Sequence, residues 1–414
     1  MPKTGRHAVV VGAGIGGLTA AVALHRRGWQ VTVFERAPEP SAAGAGIVLA
    51  PNALRAFDAI GFDATRAAGH AVPAAMGLRR PGGDWLSRAD TAAMAARYGR
   101  PPLAVYRPAL AAALAAALPQ GAIRYGTAVT AIDDADGVDG GDGVGGGGGV
   151  DGGDGIGGGD GIGGGPVVRT PSGDLPADVA IAADGIRSAL RRQYFPDHPG
   201  LHYSGETAWR TVLPADGLPE LAAAETWGRG ERFGVVPLAD GRVYLYATAV
   251  VPEGYEPTDV RAELLRRYGT WHAPVPALLE RIDPAAVLQH DLYDLAAPLP
   301  RYHRGRIAWL GDAAHAMTPN LGQGGCQAVE DAVVLAHLLD GADIPAALAA
   351  YSTARRTRAD AIRLRSRRAG RIAALTHPVA TAARDLAVRA TPARAARRAL
   401  DDLFNGFSLP TSTG

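Results

Sequence analysis

"HAVVVGAGIGGLTAAVALHRRGWQVTVFERA", residues His7 to Ala37, decides the fold class of this chain. It opens on a β-branched run, turns through glycine, and continues with apolar residues at helical spacing (Leu18, Val22, Leu24) before a second strand, Val31 to Phe34. The pattern is βαβ, and a G-x-G-x-x-G turn sits where it must, between strand and helix. Gly12 permits the tight turn, Gly14 lets backbone approach a pyrophosphate, and Gly17 lets helix pack on strand; the helix N-terminus at Ile15 faces the anion with free N–H groups. Glu35 closes the second strand, placed to accept hydrogen bonds from a ribose 2′-hydroxyl, with Arg36 beside it. An acidic residue there disfavours a 2′-phosphate, so the turn reads as a site for FAD or NAD rather than NADP.

A second glycine turn, far down the chain, decides between these two. "GDAAHAMTPNLGQGGCQAVEDA" runs from Gly311 to Ala332. A transiently bound NAD needs one fingerprint, whereas a permanently held FAD must also have its flavin end secured. Asp312 follows a strand, Ile307 to Leu310, where an acceptor can bind a sugar hydroxyl. Gly322, Gly324 and Gly325 then open a helix whose N-terminal dipole can stabilise negative charge on a reduced flavin. Two glycine turns for two ends of one cofactor is the reading that uses both.

Composition sets the outer limits. With 414 residues the chain can build two domains, and a formal net charge of +1 supplies no field towards nucleic acid or an anionic membrane. The expected partner is a small molecule. One cysteine, Cys326, excludes an intrachain disulfide; the sequence shows no secretory signal, and no apolar run approaches the roughly 20 residues of a spanning helix. A cytoplasmic location is expected.

Between the glycine turns, "LAVYRPALAAALAAAL" reads as a strand end and a helix, and "AIRYGTAVTAI" as two short strands. Residues 137–165 are about two-thirds glycine with scattered aspartate. Such a stretch cannot offset its ordering entropy, and it has too few regular repeats for a stacked calcium-binding array, so it reads as a disordered insertion at a hairpin tip. From Tyr203 to Leu299 the pattern alternates as in strands, with a turn at Asp240-Gly241 and one helix in "DVRAELLRRYGTW". The end of the chain is helical and rich in arginine; Ile362, Leu364, Ile372 and Leu375 supply an apolar side for packing on the nucleotide domain, in preference to a membrane or nucleic-acid patch.

The N-terminal fingerprint, the "ADGIRS" segment and the "GDAAH" segment, in this order, resemble the single-component FAD-dependent aromatic hydroxylases, similar to para-hydroxybenzoate and salicylate hydroxylases. "TPNLGQGGCQAVEDA", "TAWRTV" and "FGVVPLADGRVYLYA" resemble most the branch of urate hydroxylase-like and zeaxanthin epoxidase-like enzymes. The resemblance spans His7 to about Phe404. It implies an α/β fold: a Rossmann-type FAD-binding domain (1–72 with 100–198 and 300–345), an inserted mainly antiparallel β-sheet substrate domain (73–99 with 199–299) and C-terminal helices (346–414). It implies FAD contacts from Arg107 in "YRPAL" and from Val129, a pyrophosphate-side position for Asp184 and Gly185, sugar binding by Asp312, and a place for Pro319 beside the reacting edge of the flavin. The glycine insertion is a departure from the family pattern.

The implied reaction is a monooxygenation: hydride from NADH or NADPH reduces the flavin, O2 adds as a C4a-hydroperoxide, and one oxygen passes to an aromatic ring. No second dinucleotide fingerprint is present, so the nicotinamide co-substrate binds transiently. Epoxidation, ring-oxygen insertion, a non-oxygenating FAD oxidase or reductase, and a ligand-sequestering protein are the competing readings; a halogenase lacks its tryptophan-x-tryptophan motif here. The peroxide must be kept from water, and Phe233 and Val235 on one strand with Tyr244 and Tyr246 on the next are the expected apolar substrate wall, or ordinary sheet core. Arg210 in "TAWRTV" either orients an anionic substrate as a catalytic group or makes a surface salt bridge. His202 and Tyr203 are equally weak as a general base, and none is assigned. His315 and Cys326 read as packing residues.

Overall fold

The structure, a computed structural model, describes residues 5–40, 44–68, 75–133, 164–218, 221–238 and 240–410. His7–Val11 and Gln30–Phe34 are parallel neighbours, joined by the helix Ile15–His25. Val179–Ala182 pairs parallel on the other side of His7–Val11, and Ile307–Trp309 pairs parallel beyond that. Ile123–Arg124 and the antiparallel pair His303–Arg304 close the two edges of this six-stranded sheet. Val9, Val10, Val179 to Ala182 and Ile307 to Trp309 are buried throughout, as in a parallel sheet covered on both faces, which is why these segments are apolar without alternation. The helix Ile15–His25 is likewise apolar all round, enclosed between this sheet and the helix Gly324–Leu338.

A seven-stranded sheet stands apart from it, in the order Leu288–Leu295, Leu201–Pro214, Arg242–Val250, Glu231–Pro237, Ala223–Trp227, Ala75–Arg79, Trp85–Asp90. Glu231–Pro237 and Arg242–Val250 form the hairpin expected at Asp240-Gly241. All its pairings are antiparallel except Ala223–Trp227 with Ala75–Arg79. One face packs on the helices Val260–Tyr268 and Val275–Glu280, where Trp209, Phe233, Val235 and Leu245 meet Leu264, Tyr268 and Leu278.

This corrects one expectation. Phe233 and Val235 do not share a face with Tyr244 and Tyr246. Tyr246 stands opposite Gly234, so by strand alternation Phe233 and Val235 point the other way, into the helical layer. Tyr244 and Tyr246 turn instead towards Ala104 and Tyr106 of the nucleotide region.

The strands Ala131–Asp133 and Val167–Thr170 pair antiparallel, as flanks of a hairpin should. The insertion expected between them lies outside the described residues except for Gly164 and Gly165. The C-terminal part comprises the helices Ile344–Ala373, Pro378–Ala390 and Ala393–Phe404. In the first, the buried stripe runs Leu348, Tyr351, Arg355, Ala359, Ile362, Ser366, Gly370, Ala373 at helical period. Leu364 and Ile372 were expected on this side and are exposed, since each falls between the buried positions. Among the described residues no helix is long and apolar enough to cross a membrane.

Candidate active site

At the first glycine turn, Gly12 has φ +108°, and its amide donates to the Phe34 carbonyl at 2.8 Å. A Cβ at Gly12 would overlap the Ala183 carbonyl, and one at Gly17 would overlap the Gly12 carbonyl. Gly14, by contrast, has nothing within 4 Å of where its Cβ would stand, and it precedes a helix that lacks a side-chain cap. Backbone N–H groups are thus left open there for an anion. Ile15 is buried behind them. The Glu35 carboxylate accepts from the amides of Ala13 at 2.8 Å and Ala37 at 2.9 Å, so it braces the glycine turn with lone pairs to spare. Arg36 is exposed and Val129 half-buried against the core. Asp184 accepts from the Leu190 amide at 3.2 Å through one oxygen, while the other is buried without a partner.

At the second turn, Asp312 is exposed, with Oδ1 3.9 Å from the position of a Cβ on Gly324. Gly322 takes φ +62° with open space where a Cβ would stand, and the helix Gly324–Leu338 begins without a side-chain cap. Gly325 packs on Ile47, whose Cδ1 would lie 2.6 Å from a Cβ there. Pro319 is exposed at the head of a short helical turn, Pro319–Leu321. Arg107 is exposed at the start of the helix Arg107–Ala116 and donates its amide to the Ala45 carbonyl at 3.2 Å. Two uncapped helix ends, two glycine openings and an unpartnered carboxylate oxygen fit the pyrophosphate, sugar hydroxyls and ring of FAD. Glu35, Asp184, Arg107 and Asp312 are the side chains that would hold it.

Beneath the second turn lies a buried polar network that sequence reading missed. Asp331 accepts from the Gly311 amide at 2.9 Å, from His315 Nε2 at 2.5 Å and from Arg355 Nε at 2.7 Å. Glu330 accepts from Arg355 at 2.5 Å, from Arg358 at 2.9 Å and from Asn52 at 2.7 Å; Asn52 also donates to Gln323 at 3.0 Å. Burial works against the Asp331 charge, yet the facing His315 and Arg355 bring its carboxyl down to about 2. His315 is therefore a structural member of the turn. Cys326 is fully buried, and burial pushes its thiol up to about 12, so the nearby helix end does not activate it.

Facing the second turn is the side of the seven-stranded sheet not covered by its own helices. Glu225, Gly234, Tyr246 and Arg210 stand opposite one another on four neighbouring strands, and Arg232, Thr248, Ala208 and His290 form the row beside them. A Cβ on Gly46 of the nucleotide region would lie 2.5 Å from the Tyr244 ring, and Arg232 donates to Asn320, next to Pro319, at 2.6 Å. Tyr244, Tyr246 and Arg210 are thus brought to the cleft between sheet and turns. His202 is instead tied to buried Asp294 at 3.1 Å, and Tyr203 donates to the Val251 carbonyl at 2.8 Å.

His290 is the cleft residue that sequence reading overlooked; its signal was the alternation in "LQHDLYDL". His290 is exposed, yet the groups packed around it and then Arg210, Arg107 and Arg187 hold its pKa below the ordinary imidazole value. A neutral imidazole among three guanidiniums can accept a proton where an anion is stabilised.

Comparison with known proteins gives the family of the chain. Residues 167–366 match the FAD binding domain family, and residues 10–61 the NAD(P)-binding Rossmann-like domain family. The chain is 39% identical to an aurachin C monooxygenase/isomerase of Stigmatella aurantiaca, over 89% of this chain and 90% of that one. It is 32% identical to a 2-heptyl-3-hydroxy-4(1H)-quinolone synthase of Pseudomonas aeruginosa, over 96% and 97%. The crystal structure of Klebsiella pneumoniae HpxO with FAD and uric acid superposes with a TM-score of 0.84 at 29% identity, covering 98% of each chain.

Proposed function

Because the chain belongs to the single-component FAD-dependent aromatic hydroxylases, a family of monooxygenases, we propose that it inserts one atom of O2 into an oxygen-bearing heteroaromatic ring. NADH or NADPH is the electron donor. FAD supplies the oxygen activation when bound. The protein supplies the rest. Arg210 sets a positive charge where a ring oxygen gains electron density. His290 accepts the ring proton that is lost as that oxygen gains charge. Tyr244, Tyr246 and the sheet behind them close the reacting edge to water, with Pro319 on the opposite wall. The observation that carries this reading is the register that sets Arg210, Tyr244, Tyr246 and His290 on the one sheet face that meets Gly46 and the second glycine turn. A relative that synthesises a hydroxyquinolone, and a similar structure that holds uric acid beside FAD, support a ring of this class.

The purified protein is expected to be yellow, and its NAD(P)H oxidation to rise when a hydroxy- or oxo-heteroaromatic is added, with matching O2 uptake and an oxygenated product in mass spectrometry. Consumption of NAD(P)H without any oxygenated product, across quinolones, purines and phenols, points to a non-oxygenating oxidase and sinks the proposal. A pH profile tests His290. Its role requires the neutral form, so turnover falls as pH drops through its pKa, with a midpoint below the ordinary value of about 6.5. His290→Gln is expected to lower kcat by about 10²-fold, the low end for loss of general-base assistance, and to remove this acid limb. An unchanged limb assigns the proton acceptor elsewhere.

A further inference from the structure

Tyr244 and Tyr246 are neighbours with ring centroids 5.6 Å apart, yet their partners give them opposite hydrogen-bond polarity. The Tyr246 ring lies across Gly234 of the next strand, in the volume any side chain at that position would occupy. Only a glycine lets the ring cross, and crossing brings its hydroxyl to Glu225 on the strand beyond. Glu225 also accepts from Trp227 Nε1 and lies 3.8 Å from the Arg232 guanidinium, which buried Glu206 holds at 2.8 Å. A carboxylate ringed by donors has no proton to offer, so the Tyr246 hydrogen is committed to it and only oxygen lone pairs remain for anything else. At Tyr244 the order is reversed. Among the described residues no group accepts the Tyr244 hydrogen, and the positive charge of Arg210 acts on its oxygen, which leaves that hydrogen free to be given.

We propose that these two phenols form an acceptor–donor pair that selects rings carrying an acceptor oxygen, read by Tyr244 with Arg210, and a ring N–H or O–H donor, read by Tyr246. Glu225 and Gly234 are positioning residues in this arrangement, acting only through Tyr246. The inference rests on the cleft being the substrate site and deepens that reading to a substrate class: lactam-like or vinylogous-amide heteroaromatics rather than plain phenols or hydrocarbons. A substrate that presents an acceptor to Tyr246 leaves two acceptors facing each other, a loss that a missing methyl or a small void does not equal.

The test uses the FAD-loaded full chain and three probes, 4(1H)-quinolone, its N-methyl derivative and 4-methoxyquinoline, with binding read from the perturbed flavin absorbance. Wild type is expected to bind the N–H compound about 10- to 100-fold more tightly than either of the others, the range for leaving one buried polar group unpaired. In Tyr246→Phe the preference is expected to fall to about twofold, as no acceptor remains to be satisfied. Glu225→Ala frees the Tyr246 hydroxyl to donate, so 4-methoxyquinoline, whose ring nitrogen is an acceptor, is expected to gain affinity while the quinolone loses it. FAD content of each variant reports folding. Equal binding of the N–H and N-methyl compounds by wild type, a preference unchanged in Tyr246→Phe, or no binding of any probe overturns the inference. A screen of NAD(P)H oxidation separates the two levels: stimulation by rings without regard to their donor leaves the proposed function standing and removes this inference, whereas no stimulation by any ring removes both.

Discussion

Arg355→Ala is expected to destabilise the protein by about 3–5 kcal/mol, the cost of stranding buried charge. Arg355 is buried and bridges Glu330 and Asp331, both of them fully buried. Its guanidinium also donates to Gln327 at 2.7 Å. Without it, two adjacent carboxylates on one helix keep only His315, Arg358 and neutral donors. The loss should appear as a lower denaturant midpoint and as weaker retention of FAD, because Asp331 holds the Gly311 amide and Glu330, through Asn52, holds Gln323 at the helix start. Adding Glu330→Gln to Arg355→Ala should recover part of the loss by removing one stranded charge. Arg358→Ala serves as the comparison: it too bonds Glu330, but it is only half-buried, and its effect is expected to be smaller. Equal midpoints for wild type and Arg355→Ala would show that the network is not what secures this turn.

The same network sets an acid limit. The Asp331 carboxyl titrates near 2 in the folded protein against an ordinary 3.8. A depressed carboxyl pKa contributes stability that is complete above the unfolded value and is lost as pH falls through the folded one. The window is therefore between about pH 4 and pH 2, and the contribution is on the order of 2 kcal/mol.

The glycine turns were legible because each glycine answers a local demand: a left-handed φ at Gly12, a close carbonyl at Gly17, an uncapped helix end at Gly14 and Gly324. Such demands show in one short window of sequence. The strands at Glu231–Pro237 and Arg242–Val250 were legible too, yet alternation says only that Phe233 and Val235 share a face, and Tyr244 and Tyr246 share a face. Which of these faces the cleft depends on the register between the strands, set by Gly234 lying opposite Tyr246 and by the helices covering the far side. His290 was hidden for the same reason: its value comes from pairing with Ala208, a strand neighbour more than eighty residues away in sequence. The Glu330–Asp331–Arg355 network could not be read because charged residues on helices are normally solvated. In the helix Ile344–Ala373 the arginines at 355 and 363 take buried positions while Leu364 and Ile372 are exposed, so an apolar pattern alone placed Ile362 correctly but not these two.

Gly12→Ala and Gly14→Ala should separate what the first turn does for the fold from what it does for the cofactor. At Gly12 a methyl group must overlap the Ala183 carbonyl, and the φ of +108° is one that L side chains rarely adopt. The backbone carrying Ala183 is the end of a central strand and cannot give way, so strain and overpacking together are expected to cost about 2–5 kcal/mol. The variant should melt early even without FAD and purify nearly colourless. At Gly14 the added methyl meets nothing, and φ is −71°, suitable for alanine. Without FAD, Gly14→Ala should melt with the wild type or slightly above it, since alanine narrows the unfolded ensemble. With saturating FAD it should gain less than the wild type does, because the methyl stands where a pyrophosphate must come up to the uncapped amides of the helix Ile15–His25. The ratio of absorbance at 450 nm to that at 280 nm after dialysis, beside melting curves with and without FAD, reads both effects. If Gly14→Ala holds FAD as firmly as the wild type, the phosphate does not lie against residue 14, and the bare helix end has some other occupant.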